Sequence, residues 1–231
     1  MELKVNNLVL KYGQHTVLKE LNLEMKGGLI YGLVGVNGSG KTSLLNCMCG
    51  LQPFSKGEVL LNGNSLQTSS TGYLETSVFA YPLMTGRDYL GFFAQSNNSF
   101  SLQKWNALFD LPLDEYISNY STGMQKKLGL MGIIALDRNV VLLDEPFNAL
   151  DIETVELLKQ ILPELSKRNK ILLITSHILE TLTDTCDYIF YLNKGQVNKT
   201  YPRSEFPDLA EALKTHFRER FHQGIQSAFE K

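Results

Sequence analysis

Gly35-Val36-Asn37-Gly38-Ser39-Gly40-Lys41-Thr42 puts three glycines, a lysine and two hydroxyls into eight consecutive positions. A glycine, four residues and then Gly-Lys-Thr is the spacing of a phosphate-binding loop. Glycine lets the backbone curl so that successive N–H groups point inward at a polyphosphate. Ser43-Leu44-Leu45-Asn46-Cys47-Met48 reads as the start of a helix, whose N-terminal dipole favours the same anion. Lys41 then reaches the β- and γ-phosphates and the Thr42 hydroxyl ligates Mg²⁺.

Further along, Val140-Val141-Leu142-Leu143-Asp144-Glu145 is an apolar run closed by two acids. Such a run reads as a strand buried on both faces of a parallel sheet. Ligand chemistry sits at the C-terminal ends of such strands. Asp144 there can hold Mg²⁺, and Glu145 can polarise a water for in-line attack as a general base. Ile171-Leu172-Leu173-Ile174-Thr175-Ser176-His177 is a second buried-strand run, and His177 at its end can hydrogen-bond the γ-phosphate. Tyr120-Ser121-Thr122-Gly123-Met124-Gln125-Lys126-Lys127 precedes a helical run to Leu136. A serine hydroxyl, a glycine N–H and a helix start make another anion site. One nucleotide needs one phosphate loop, so the second site points to a nucleotide carried by another molecule.

These residues together resemble the nucleotide-binding subunit of an ABC transporter, over nearly the whole chain. Gly35–Thr42 resembles the Walker A loop, and Val140–Glu145 with Pro146 the Walker B segment. Tyr120–Gln125 is similar to the Leu-Ser-Gly-Gly-Gln signature, Asn148-Ala149-Leu150-Asp151 to the D-loop, and His177 to the switch histidine. Tyr12, in Leu10-Lys11-Tyr12-Gly13, looks like the aromatic that stacks on adenine. The resemblance implies ATP and Mg²⁺ as cofactors and an ATPase in which Glu145, His177 and Lys41 are catalytic. Nucleotide contacts are implied for Tyr12, Gly35, Asn37, Gly38, Ser39, Gly40, Lys41, Thr42, Ser43, Ser121, Gly123 and Asp151. It further implies a second copy or a related ATPase as one partner, a transmembrane permease as the other, and a place on the cytoplasmic face of the membrane.

Two departures matter. The signature carries Thr122 for its first glycine and Met124 for glutamine, while Ser121 and Gly123 remain. Tyr-Ser-x-Gly-Met resembles ABC-2 type exporters and drug or bacitracin self-resistance ATPases. The Q-loop, within Gly72-Tyr73-Leu74-Glu75-Thr76-Ser77-Val78, has no glutamine; Glu75 stands as the Mg²⁺ ligand there, with Thr76 one register away. A soluble ABC-type ATPase, such as an iron–sulphur cluster assembly factor, is the alternative. A phosphate-loop kinase or GTPase is disfavoured by the signature and by the lack of an Asn-Lys-x-Asp guanine motif.

The elements that must position this chemistry follow from patterning. A chain of 231 residues, 43% hydrophobic and 20% charged, is long enough for one large α/β domain. The expected fold is an α/β phosphate-loop NTPase core with a mostly parallel sheet, an antiparallel β subdomain at the N-terminus and an inserted helical subdomain. The core spans 1–84 and 136–231 and the helical subdomain 85–135. Alternation over residues 1 to about 27 predicts antiparallel strands, and Lys56–Asn64 a further strand. Residues 65 to 71 read as a loop, Ile152–Leu165 as an amphipathic helix ended or kinked by Pro163, and Tyr188–Val197 as a hairpin turning at Asn193-Lys194-Gly195. A net charge of −2 carries no footprint of a nucleic-acid partner, and Lys214-Thr215-His216-Phe217-Arg218-Glu219-Arg220 reads as a solvated helix face. No apolar stretch approaches the roughly 18–20 residues of a membrane span, and Met1-Glu2-Leu3-Lys4-Val5 has no signal-peptide core. Cys47, Cys49 and Cys186 lack metal spacing; the first two pack as small hydrophobes, and a reducing compartment is expected.

Overall fold

The computed structural model describes residues 1–215, apart from Pro82 and Ser96, together with Arg218. Its strands are β1 (Glu2–Tyr12), β2 (His15–Lys26), β3 (Leu29–Val34), β4 (Lys56–Leu61), β5 (Asn64–Ser65), β6 (Thr71–Leu74), β7 (Val140–Leu143), β8 (Ile171–Thr175), β9 (Tyr188–Asn193) and β10 (Gln196–Pro202). Its helices are α1 (Lys41–Met48), α2 (Gly86–Ala94), α3 (Leu102–Phe109), α4 (Thr122–Leu136), α5 (Ile152–Lys167) and α6 (Leu179–Thr185). The last helical stretch, over 206–215, follows β10. The charged face expected over Lys214–Arg220 lies, beyond Thr215, outside the described residues except at Arg218.

The strands form two sheets, an antiparallel one ordered β2-β1-β4-β5 and a six-stranded one ordered β10-β9-β3-β8-β7-β6. In the larger sheet every pair from β9 to β6 is parallel, and only β10 runs against its neighbour. The uninterrupted apolar runs are explained by burial on both faces. Val141, Leu143, Leu172 and Ile174 pack on one side with the helices α4 and α5. Their alternates Val140, Leu142, Ile171 and Leu173 pack on the other with α1 and the antiparallel sheet. This is the expected α/β architecture, with its mostly parallel sheet and N-terminal antiparallel strands.

Several local readings need correction. The helix with Pro163 inside does not end there but runs on to Lys167. The ring removes one helical N–H donor, yet Leu162 and Leu165 on either side are buried, and that packing carries the helix through. The stretch 65–71 is not wholly loop: Ser65 pairs with Leu60, and a 3₁₀ turn over Thr68–Ser70 leads into β6. The helical pattern over 85–135 is broken into α2, α3 and α4 by two connections. Thr85 and Asp88 form a reciprocal capping box at the start of α2, Ser101 caps α3 and Ser121 caps α4.

Register aligns the ends that matter. Leu33 lies beside Thr175, Leu143 beside Ile174, and Leu74 beside Leu143. The segments leaving β3, β8, β7 and β6 therefore emerge side by side from one edge of the sheet. All three cysteines are buried, and burial raises the thiols of Cys47 to about 11 and Cys49 to about 12, which leaves them inert.

Candidate nucleotide-binding and catalytic site

The loop between β3 and α1 is shaped by what a side chain would hit. A Cβ on Gly35 would collide with the Leu192 carbonyl and lie 2.6 Å from the Ser39 hydroxyl. Gly40 sits at φ +109°, a conformation that L-residues rarely adopt, and forms the N-cap of α1. With no side chain capping α1, its first-turn N–H groups stay free for an anion. Ser39 Oγ is buried and makes no hydrogen bond among the described residues. A buried donor without a partner fits a phosphate oxygen. Lys41 is 9% exposed and its Nζ donates to the Gly35 carbonyl at 2.8 Å. Burial lowers its pKa, against the opposing charges of Glu145 and Asp144.

Asp144 is buried at the end of β7, and three hydroxyls converge on its carboxylate. Thr42 Oγ1 donates to Oδ2 at 2.8 Å, Thr76 Oγ1 to the same oxygen at 3.1 Å, and Thr175 Oγ1 to Oδ1 at 2.6 Å. This is a hard, oxygen-only donor set. Among the described residues no group of three or more His, Cys, Asp and Glu could hold a metal, so the set is no all-protein cage. It suits an ion that takes its remaining ligands from water and phosphate, as Mg²⁺ does.

Glu145 follows with φ +49°, a left-handed conformation for a residue that has a Cβ. Its amide donates to Thr175 Oγ1 at 2.9 Å, so one threonine holds both acids. Its carboxylate Oε2 meets His177 Nδ1 at 2.9 Å and the His177 amide at 3.3 Å. A carboxylate against an imidazole, beside a lysine and a helix N-terminus, can take a proton from a water placed between it and a phosphate.

A cavity of about 560 Å³ is lined by Asn37, Gly38, Gly40, Lys41, Thr42, Ser43, Asp144 and Glu145, whereas Gly35, Ser39 and His177 do not line it. His15 and Val17, at the start of β2, also line it. Tyr12 does not: it pairs with His15 across the hairpin, is half exposed, and its hydroxyl donates to Gln52 Oε1 at 3.3 Å. At the Q-loop the Thr76 hydroxyl reaches Asp144, whereas the exposed Glu75 carboxylate makes no hydrogen bond among the described residues. Ser121, Gly123 and Asp151 do not line the cavity. Ser121 Oγ accepts from the Met124 amide as the cap of α4. Gly123 lets the Ala149 carbonyl approach to 2.8 Å of where a Cβ would stand. Asp151 caps α5 through the Thr154 amide and hydroxyl, both at 2.8 Å, and pairs with Lys127 at 3.1 Å.

Four contributors escaped sequence reasoning. Thr175 ends β8 and reads only as the first of the polar triplet closing that run, with the chemistry given to His177. His15 could have been found from the hairpin that places it opposite Tyr12, and Val17 from its place two residues on along the same strand. Lys126, read as part of a polar run, is 4% exposed, and its Nζ donates to the carbonyls of Glu75, Thr76 and Asp144 at 3.1, 3.0 and 3.4 Å.

A family model described as ABC transporter matches residues 18–148, more than half of the chain. AlbC of Bacillus subtilis (strain 168), described as a putative ABC transporter ATP-binding protein, is 32% identical over 212 residues, covering 84% of this chain and 89% of AlbC. BcrA of Enterococcus faecalis, a bacitracin transport ATP-binding protein, is 30% identical over 208 residues, covering 84% of this chain and 67% of BcrA. The solved structure of the ATP-binding cassette MJ0796, a dimer in a post-hydrolysis state bound to ADP and Pi, superposes with a TM-score of 0.74. It is 21% identical, with 87% of this chain and 98% of that chain covered, and so shares the fold. The chain belongs to the ABC transporter family, as an ATP-binding subunit that hydrolyses ATP for transport.

Proposed function

We propose that this chain drives an ABC-2 type exporter, pairing head to tail with a second copy or a related ATPase and passing the closure to a membrane permease. The observation that carries the pairing is that Ser121 and Gly123 do not line the cavity formed by their own Walker A loop. A second chain presenting that pair to the γ-phosphate completes the site. The γ-phosphate is then the contact that distinguishes the closed from the open state, and hydrolysis removes it. The dimeric state of the MJ0796 cassette, with ADP and Pi bound, supports this reading. The export direction is supported by the Ser-x-Gly-Met signature, which resembles that of ABC-2 type exporters.

Within the site, Lys41 and the α1 N-terminus hold the phosphates. Thr42, Asp144 and Thr76 would hold Mg²⁺, which neutralises phosphate charge when bound. Glu145 takes the proton of the attacking water as its oxygen bonds the γ-phosphorus and ADP departs. His177 holds the Glu145 carboxylate and faces the same phosphate.

No helix among the described residues is long and apolar enough to cross a membrane, and in this reading a permease supplies the path. The surface that suits it is a groove lined by Tyr81, Leu83, Met84, Arg87 and Phe92, with Leu83 74% and Phe92 63% exposed. Docking there places the chain on the cytoplasmic face of the membrane.

The test is ATP hydrolysis by membranes carrying the chain with its permease, compared with Glu145→Gln. The variant is expected to bind ATP, to accumulate as a dimer in size-exclusion chromatography with ATP, and to lose turnover. Near wild-type turnover in Glu145→Gln would refute the assignment of Glu145.

A further inference from the structure

We infer that Lys126 is a positioning residue for ATP hydrolysis: from the signature helix it holds the backbone that aims Glu145. This rests on the reading of Glu145 as the general base. An ammonium has three donors, and here each has a carbonyl: Glu75 at 3.1 Å, Thr76 at 3.0 Å and Asp144 at 3.4 Å. These carbonyls stand just beyond the last ladder bond between β6 and β7, from the Asp144 amide to the Leu74 carbonyl at 2.9 Å. Among the described residues no further ladder bond joins the two strands past that point.

The peptide joining Asp144 to Glu145 is therefore pinned at both ends. Lys126 takes its carbonyl, and Thr175 Oγ1 accepts from its N–H. The residue that follows is Glu145, held at φ +49°. A non-glycine residue in that region is strained and persists only where the surroundings determine it. The same ammonium fixes the Glu75–Thr76 backbone, from which the Thr76 hydroxyl reaches Asp144. One side chain thus organises the base and the ligand that shares the Asp144 carboxylate.

Lys126 also belongs to α4, whose N-cap is Ser121 of the signature. One turn on, Leu74 and Val78 lie directly against Gly129, so the helix and the Q-loop segment pack as one body. A displacement of Ser121 along the helix axis is carried by Lys126 to the peptide that sets Glu145. The signature segment and the base of the same chain are in this way mechanically joined, in addition to the contact made across the dimer.

The experiment compares ATP hydrolysis and ATP binding by the purified full chain carrying Lys126→Met, Lys126→Arg or Glu145→Gln. Methionine keeps the length and apolar stem but donates nothing; arginine restores a cation with several donors. Lys126→Met is expected to leave the ATP dissociation constant and KM within about threefold while lowering kcat about tenfold or more, since small misplacements of a catalytic group cost that much. Lys126→Arg is expected to recover most of kcat. Should Lys126→Met fail to fold, kcat in folded Lys126→Arg and Lys126→Gln decides: loss in Gln with recovery in Arg supports the inference. Near wild-type kcat in Lys126→Met overturns it. So does a parallel loss of affinity and kcat that arginine does not recover, which marks a merely structural lysine. Turnover in Glu145→Gln overturns instead the reading of the base, and that outcome is separable from the others.

Discussion

Replacing Thr175 by valine isolates the hydroxyl that serves both acids. Valine has the same shape and favours strands equally, so the fully buried position in β8 keeps its packing. Two interactions are lost. The bond from Oγ1 to Asp144 Oδ1, at 2.6 Å, has a charged acceptor and is worth about 1.5–3 kcal/mol. The Glu145 amide, which donates to Oγ1 at 2.9 Å, loses its acceptor, and a part-buried unpaired N–H costs about 1 kcal/mol or more. The two do not add fully, because Thr42 and Thr76 still donate to Oδ2 of the same carboxylate. We expect Thr175→Val to lower unfolding stability by about 3 kcal/mol in urea titration. Thr175→Ser keeps the hydroxyl and loses one methyl, and is expected to cost only about 1 kcal/mol. Turnover should follow the same order, with valine the worse. A valine variant within about 1 kcal/mol of wild type, or a serine variant less stable than the valine one, would refute the reasoning.

Other expectations follow from single contacts. Thr76→Val should lower the apparent Mg²⁺ affinity of ATP hydrolysis about tenfold, whereas Glu75→Gln should leave it within about twofold; a Mg²⁺ titration of ATPase activity separates them, and the reverse order would restore Glu75 as the ligand. Asp151 should contribute an acid-sensitive increment of stability. The Thr154 amide and hydroxyl, and then Lys127, hold its carboxylate down at about 2 against an ordinary 3.8. A depressed folded pKa means the increment is complete above about pH 4 and is lost as the pH falls towards 2. Because the group is exposed it is worth about 1 kcal/mol, the value of a helix cap. Urea unfolding at pH 3 and pH 6 should show this extra difference in wild type and not in Asp151→Asn. Leu83→Asp with Phe92→Asp should leave thermal stability unchanged and abolish co-purification with the permease; retained co-purification would move the docking surface elsewhere.

How much was legible in the sequence depended on how local the physics is. A phosphate loop is one contiguous turn whose glycines and lysine are dictated by backbone geometry, so Gly35–Thr42 could be read directly. The same holds for Val140–Glu145 and Ile171–His177, because burial on both faces demands an unbroken apolar run and the polar residues that end it must stand at the sheet edge. The α/β class, the hairpin at Asn193-Lys194-Gly195 and the family followed from such segments. That the helix does not end at Pro163 was not legible, because a local rule about a missing donor says nothing of the packing around Leu162 and Leu165.

What only the tertiary structure decided is which side chains meet across the sheet. Strand order β3-β8-β7-β6 and its register bring Thr42, Thr76 and Thr175 onto one carboxylate from three separate segments. It brings the Thr76 hydroxyl, and not the adjacent Glu75 carboxylate, to Asp144. Whether Tyr12 or His15 borders the cavity was settled by the pairing of β1 with β2. Lys126 carries no sequence mark at all, since a lysine in a polar run is ordinarily solvated. Its role arises from the docking of α4 against the ends of β6 and β7, where three carbonyls with no remaining strand partner need a donor. Local chemistry can be read from composition and spacing, but the sharing of partners between distant segments is a property of the folded chain.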